Sequence, residues 1–273
     1  MTSISELQHI TGTIVLAGAG KMGGAMLTGW LAGGLDAQRV VVIEPMPSVE
    51  ITALAARGVR LNPTDAAPAE TVVVAVKPQM FREAGTGLKS WVGQSTLVLS
   101  IMAGTTIASL EAVLGGAVVR AMPNTPAAIG RGITVAVPAT NISAAQRALT
   151  DALLRATGAV EWADDEALMD AVTAVSGSGP AYVFLLAEEL ARAGVAAGLP
   201  EALATKLARD TVSGAGELLN RSELSSATLR QNVTSPGGTT AAALAVLMGA
   251  DGLQPLLTRA VAAATARSKE LAK

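Results

Sequence analysis

Between Thr13 and about Trp162, short runs rich in β-branched residues alternate with helical patterns, and after Asp164 the β-like runs stop. That change of rhythm constrains the fold more than any other feature of the chain. Strands are predicted over 13–17, 40–44, 71–76, 96–101, 117–122 and 133–137, with helical segments such as 23–32 and 48–57 between most of them. Continuous apolar strands separated by helices predict a parallel sheet covered on both faces. In the second part, 180–197, 200–219, 239–248 and 253–271 all read as helices, two of them opened by a proline near the first turn. The expected organisation is a doubly wound α/β domain over 1–163 and an all-α domain over 164–273.

The first strand runs directly into Gly18-Ala19-Gly20-Lys21-Met22-Gly23, a G-x-G-x-x-G at the start of a helix. The first two glycines permit the tight turn and the close approach of a pyrophosphate, and the third lets helix pack on strand. The string alone is a weak signal. Here it follows a strand, opens a helix and precedes a second strand, which is the context that dinucleotide binding demands. The first domain is therefore read as Rossmann-like. Glu44 ends the second strand, 21 positions after Gly23. A carboxylate there accepts hydrogen bonds from an adenosine ribose and repels a 2′-phosphate, so it favours NADH over NADPH. A solvated strand cap is the plainer alternative for Glu44.

Two further strand ends carry proline-marked loops, Ala75-Val76-Lys77-Pro78 and Ala121-Met122-Pro123-Asn124-Thr125-Pro126. Ligands of open parallel sheets lie beyond the carboxyl ends of the strands, so both loops are candidates to line the cofactor crevice. Lys77 fits either a phosphate contact or a plain surface position. Asn124, held between two prolines, fits either a nicotinamide amide contact or an ordinary turn.

In the second part, Asn232-Val233-Thr234-Ser235-Pro236-Gly237-Gly238-Thr239-Thr240 precedes the apolar run 241–248. If a helix begins there, backbone N–H groups point out of its first turn and form an anion site without a lysine or arginine. The hydroxyls of Ser235, Thr239 and Thr240 add short donors and acceptors. Such a site suits a small carboxylate, although a simple N-cap after a turn explains the same string.

Composition narrows the chemistry further. Half of the residues are hydrophobic but only 2% are aromatic, so the core must be closely packed Ala, Val and Leu. The mean hydropathy of +0.45 points to apolar surface buried between subunits. The uncharged stretch 231–250 contains Ser-Pro-Gly-Gly and does not read as a membrane helix. A net charge of −2 without a basic cluster argues against nucleic acid. The lack of a basic-then-apolar leader before Thr13 and of any cysteine fits a cytoplasmic protein.

His9, the sole histidine, precedes the first strand and is not placed to act as the general acid of a hydroxyacid dehydrogenase. Without cysteine there is no thiohemiacetal route to aldehyde oxidation, and a zinc site is not expected. Tyr182 is followed by Leu186, so the Tyr-x-x-x-Lys pair of short-chain reductases is missing. A protonated C=N bond is a substrate that needs none of these groups. It accepts hydride directly, no alkoxide forms, and positioning matters more than acid–base help.

These pieces resemble the pyrroline-5-carboxylate reductase family. The resemblance runs through Gly18–Gly23, Ala75–Pro78, Met122–Pro126, Ala174-Val-Ser-Gly-Ser-Gly-Pro-Ala-Tyr182 and Val233–Thr240, and so covers nearly the whole chain. It implies a Rossmann domain followed by a helical dimerisation domain, with chains joined as homodimers or rings of dimers. It also implies reduction of 1-pyrroline-5-carboxylate to L-proline by NAD(P)H, the last step of proline biosynthesis. Carried onto this sequence, it places the substrate carboxylate on the backbone around Gly237, Gly238, Thr239 and Thr240. Thr240 acts at the ring nitrogen as the catalytic residue, and Asn232 and Ser235 shape the pocket. The cofactor falls to Gly18, Gly20, Lys21, Met22, Gly23, Glu44, Ala75, Val76, Lys77, Pro78, Asn124, Ser176 and Gly177. Family members commonly use NADPH, whereas Glu44 speaks for NADH.

Four rival readings remain: a reductase of another cyclic imino acid, a non-catalytic NAD(P)-binding sensor, a helical scaffold protein with an incidental glycine turn and a β-hydroxyacid dehydrogenase. The dehydrogenases carry a catalytic lysine on the helix after the glycine string. This chain has Tyr182, Val183 and Phe184 there.

Overall fold

The computed structural model describes residues 5–271. The chain divides into two compact units, Met1–Gly177 with Thr265–Lys273, and Ser178–Ala264. The first unit is built on eight strands: β1 (Ile14–Ala17), β2 (Val40–Ile43), β3 (Arg60–Leu61), β4 (Thr71–Val74), β5 (Leu97–Ser100), β6 (Ala117–Met122), β7 (Gly132–Pro138) and β8 (Gly158–Trp162). They form one sheet in the order β3-β2-β1-β4-β5-β6-β7-β8. The order reverses at β1, which pairs with β2 on one side and β4 on the other. That reversal is the topological switch point at which doubly wound sheets bind ligands.

The helices of this unit are α1 (Ser5–Gln8), α2 (Lys21–Ala32), α3 (Val49–Ala53), α4 (Phe81–Leu88), α5 (Ile107–Leu114), α6 (Ala144–Arg155) and α7 (Met169–Val172). They cover both faces of the sheet, and the alternation within β1 shows how. Ile14 and Leu16 join one core with Met26, Leu27 and Trp30 of α2 and with Leu153 and Leu154 of α6. Val15 and Ala17 join the other, with Phe81 and Leu88 of α4 and Leu110 and Leu114 of α5. A strand buried on both sides favours apolar residues at successive positions, which is why β1 and β2 read as continuous apolar runs. The Trp30 indole N–H donates to the Leu153 carbonyl at 2.8 Å, so the largest side chain of the first core leaves no buried donor unpaired.

The sheet departs from the wholly parallel expectation at one pair: β6 and β7 are antiparallel, while β7 and β8 are parallel. The link from β6 to β7 is a 3₁₀ turn, Thr125–Ile129, closed by Gly130 at φ 67°. It is too short for a crossover helix, so the chain can only reverse. The strands β3 and β8 were not anticipated. Two residues are too few for a pattern, and Glu161 interrupts the apolar run of β8.

After α7 the helix widens into a π turn, Thr173–Gly177. The second unit contains α8 (Gly179–Ala196), α9 (Glu201–Arg221), α10 (Ser226–Asn232), α11 (Thr239–Leu247) and most of α12 (Leu253–Leu271). Four of these helices follow the predicted ranges closely; α10 is an addition. Neither α8 nor α11 contains a buried residue, and Phe184 and Val246 are exposed. No described helix is long and apolar enough to cross a membrane.

Candidate active site

The glycine string leaves β1 at the switch point. Gly18 has φ 91°, and a Cβ there would lie 2.7 Å from the Ala75 carbonyl oxygen, so the turn is open only to glycine. That closeness also sets Ala75 and Val76, at the end of β4, against the loop. A Cβ on Gly23 would run into the Gly18 carbonyl oxygen, which fixes how α2 seats on its own loop. Gly20 is different. Nothing lies within 4 Å of where its Cβ would be, and it caps α2 without a side-chain hydrogen bond. The first turn of α2 therefore presents backbone N–H groups to open space, as a pyrophosphate requires. Lys21 is exposed and Met22 half-buried beside this turn, and Lys77 and Pro78 are exposed beyond β4.

Glu44 follows β2 directly and reaches back to the loop. Its Oε2 accepts the Ala19 N–H at 2.9 Å, and its Oε1 accepts the Met46 N–H at 3.1 Å. A carboxylate tethered to the glycine string is held beside the place where an adenosine ribose lies in a fold of this kind. The main chain of Glu44 is bonded in turn by Asn62, whose side-chain oxygen accepts the Glu44 N–H and whose amide donates to the Glu44 carbonyl, both at 2.8 Å. Asn62 was not among the predicted site residues. Its one signal was the Asn62-Pro63 dipeptide, which marks a turn but not what the side chain holds.

Beyond β6, Asn124 caps the 3₁₀ turn, and its Oδ1 accepts the Ile133 N–H at 3.0 Å. The side chain thereby braces the reversal into β7. Ser176 and Gly177 lie in the π turn, a helical irregularity that recurs at functional sites. The Ser176 hydroxyl oxygen is buried with no hydrogen-bond partner. A Cβ on Gly177 would meet the Met122 methyl at 2.5 Å, so Gly177 and the end of β6 are neighbours. The structure thus gathers Gly18–Gly23, Glu44, Ala75 and Val76 at the switch point, and sets Gly177 against Met122 at the end of β6.

In the second unit, α10 ends at Asn232 and a turn leads to α11. Gly237 has φ 70°, and Gly238 is the N-cap of α11 with no side-chain cap bond. The Gly238 N–H is taken within the turn by the Ser235 carbonyl at 3.0 Å. The N–H groups that open the helix are therefore those of Thr239, Thr240 and Ala241, which have no partner within it. Asn232, Ser235, Gly237 and Thr239 are exposed, and Gly238 and Thr240 half-buried.

Comparison with known proteins matches both parts of the chain. Residues 166–271 match the model of pyrroline-5-carboxylate reductase dimerisation, and residues 13–104 that of coenzyme F420-dependent NADP oxidoreductase. The pyrroline-5-carboxylate reductase of Pseudomonas aeruginosa is 40% identical over 268 residues, covering 96% of this chain and 98% of its own. That of Synechocystis is 40% identical over 94% and 97%. Among solved structures, the Coxiella burnetii reductase superposes with a TM-score of 0.88 at 36% identity, over 97% of this chain and all of its own. The Plasmodium falciparum reductase, solved with NADP bound, gives 0.80 at 28% identity, over 96% and 99%. Agreement of this extent, in sequence along both chains and in the path of the backbone, means that the protein belongs to the pyrroline-5-carboxylate reductase family.

Proposed function

We infer that this protein reduces 1-pyrroline-5-carboxylate to L-proline by hydride transfer from NAD(P)H, the last step of proline biosynthesis. The observation that carries the reading onto particular residues is the uncapped first turn of α11, which Gly238 opens without a side-chain cap after Gly237 turns the chain at φ 70°. The N–H groups of Thr239, Thr240 and Ala241 bind the substrate carboxylate, with the helix dipole favouring the negative charge. Asn232 and Ser235 bound the pocket. The hydroxyl of Thr240, the catalytic residue, hydrogen-bonds the ring nitrogen and orients the C=N bond.

The reduced nicotinamide, when bound, supplies the hydride. The imine carbon accepts it, the π electron pair of the C=N bond passes to the protonated nitrogen, and a neutral secondary amine results. No oxyanion develops, so the lack of a histidine or lysine acid at the site costs the reaction nothing. Gly18, Gly20 and the first turn of α2 receive the pyrophosphate, flanked by Lys21 and Met22. Ala75, Val76, Lys77, Pro78, Asn124, Ser176 and Gly177 line the rest of the cofactor site. The unpaired Ser176 hydroxyl supports its share in that role, since a buried hydroxyl without a partner is costly unless a ligand satisfies it. Glu44 selects NADH, because a 2′-phosphate beside its carboxylate is repelled.

Residues 1–163 serve as the dinucleotide-binding domain and 164–273 as the substrate and dimerisation domain. The end of the last strand at Trp162 supports that division. The chain works as a homodimer in the cytoplasm, and the exposed apolar faces of α8 and α11 support the dimer. The test is the loss of NADH and NADPH absorbance on adding pyrroline-5-carboxylate, each cofactor assayed separately. Oxidation with NADH ahead is expected. Binding of both cofactors without oxidation would overturn the substrate, and the six-membered cyclic imine is then the next to try.

A further inference from the structure

We propose that Asn62 is a positioning residue for cofactor choice: it holds the main chain of Glu44 and so fixes the carboxylate that receives an unphosphorylated adenosine ribose. The proposal rests on the reading of Glu44 as the group that selects NADH.

The ladder between β2 and β3 pairs Val41 with Arg60 and Val42 with Leu61, and the Asn62 N–H then donates to the Val42 carbonyl at 2.8 Å. There the main chain leaves the sheet. Asn62 turns it at φ 46°, and Pro63 follows. The next rung would fall at Glu44, and β3 has no backbone left to offer it. The Asn62 carboxamide takes that place, pairing with both the N–H and the carbonyl of Glu44. One short side chain thus satisfies both main-chain polar groups of the residue that carries the ribose-facing carboxylate. The carboxylate itself is bonded to Ala19 and Met46. Glu44 is therefore held at its main chain and at its carboxylate.

The backbone at Asn62 makes a merely passive role harder to sustain. Among the described residues it is the sole non-glycine with positive φ, and it precedes a proline, which disfavours helical backbone in the residue before it. Such positions persist where several interactions over-determine them, and they cluster at functional sites. Asparagine is the side chain that tolerates this conformation and also carries a donor and an acceptor on one plane. Arg60, the cation on β3, is paired with Asp65.

The experiment uses the full chain and three variants, with kcat and KM measured for NADH and for NADPH at saturating pyrroline-5-carboxylate. Asn62→Gly keeps the backbone conformation and removes the clamp. It is expected to raise KM for NADH about 5- to 10-fold with kcat within about 2-fold, and to change KM for NADPH by less, so that the preference narrows. Asn62→Asp keeps the acceptor for the Glu44 N–H and loses the donor, and shifts the preference in the same direction. It decides the matter if the glycine variant does not fold. Equal changes with both cofactors, or no change with either, overturn the role of Asn62. Glu44→Ala separates the two ideas. If it shifts the preference while both Asn62 variants leave it alone, only Asn62 is wrong; if it too leaves the preference unchanged, the reading of Glu44 has failed.

Discussion

In β1, the side chains of Ile14, Val15 and Leu16 are wholly enclosed, while on α8 Phe184 is 67% exposed and no residue is buried. Both segments are apolar, so the difference lies in what each chain region can supply as cover. The doubly wound sheet carries its own helices on both faces and closes its two cores within one chain. The Ala-rich helices of the second unit have more apolar surface than their own neighbours can cover, and they lie in the region that matches a dimerisation model. Large exposed apolar faces mark association surfaces in soluble proteins. The first unit is finished by its own fold, whereas the second is finished by association.

The largest effects are expected where the finished unit has no slack. Gly23→Val drives a side chain into the Gly18 carbonyl and should abolish folding of the nucleotide domain, seen as loss of a cooperative thermal transition. Gly20→Val has open space around it and should fold as the parent does. It should still weaken NADH binding by about 100-fold or more, because the new side chain occupies the pyrophosphate's place at the first turn of α2. Fluorescence titration of both cofactors checks this. Unimpaired binding by Gly20→Val would place the pyrophosphate elsewhere.

The unfinished unit should respond differently. Phe184→Asp puts a charge on the exposed face of α8 and removes a large apolar contact from each of two copies. At about 2 kcal/mol per buried ring and two rings in a twofold interface, dimer affinity should fall by about 1,000-fold. Sedimentation across a concentration series measures it. An unaltered dimer would remove α8 from the interface.

Thr240→Ala asks whether the site on α11 is read correctly. Loss of the hydroxyl should lower kcat by about 10- to 100-fold while the dissociation constant for NADH stays within about 2-fold. A parallel loss of both would mean that Thr240 serves the fold rather than the imine.

How much of this was readable beforehand differed between the same two regions. The strands near the switch point announced themselves because burial on both faces leaves a largely apolar run, and the Gly18–Gly23 string then placed the glycine turn between β1 and α2. The antiparallel β7 was not readable, because its direction is set by the shortness of the Thr125–Ile129 link and not by any pattern in the strand. Asn62 was hidden for a similar reason. Its partner is 18 residues earlier, and only the pairing of β2 with β3 brings the two together. In the second unit, the long helices were plain from their spacing and prolines. Which N–H groups open α11 without a partner was harder to read, since the capture of the Gly238 N–H by the Ser235 carbonyl depends on turn geometry.

The smallest effect concerns a cap that belongs to the finished unit alone. Ser143 and Gln146 form a reciprocal capping box at the start of α6: the Ser143 hydroxyl accepts the Gln146 N–H at 3.2 Å, and Gln146 Oε1 accepts the Ser143 N–H at 3.0 Å. The Gln146 amide also donates to the Ser95 carbonyl, tying the helix start to the turn before β5. Ser143→Ala removes one acceptor and leaves the rest, so stability should fall by about 1 kcal/mol. Because Leu153 and Leu154 of α6 sit in a core that the chain completes by itself, the loss should reach neither the dimer nor the preference between cofactors. Chemical denaturation at two protein concentrations reads the first, and the assay with NADH and NADPH reads the second. A weakened dimer in Ser143→Ala would mean that the two units share their stability more closely than their separate packing implies.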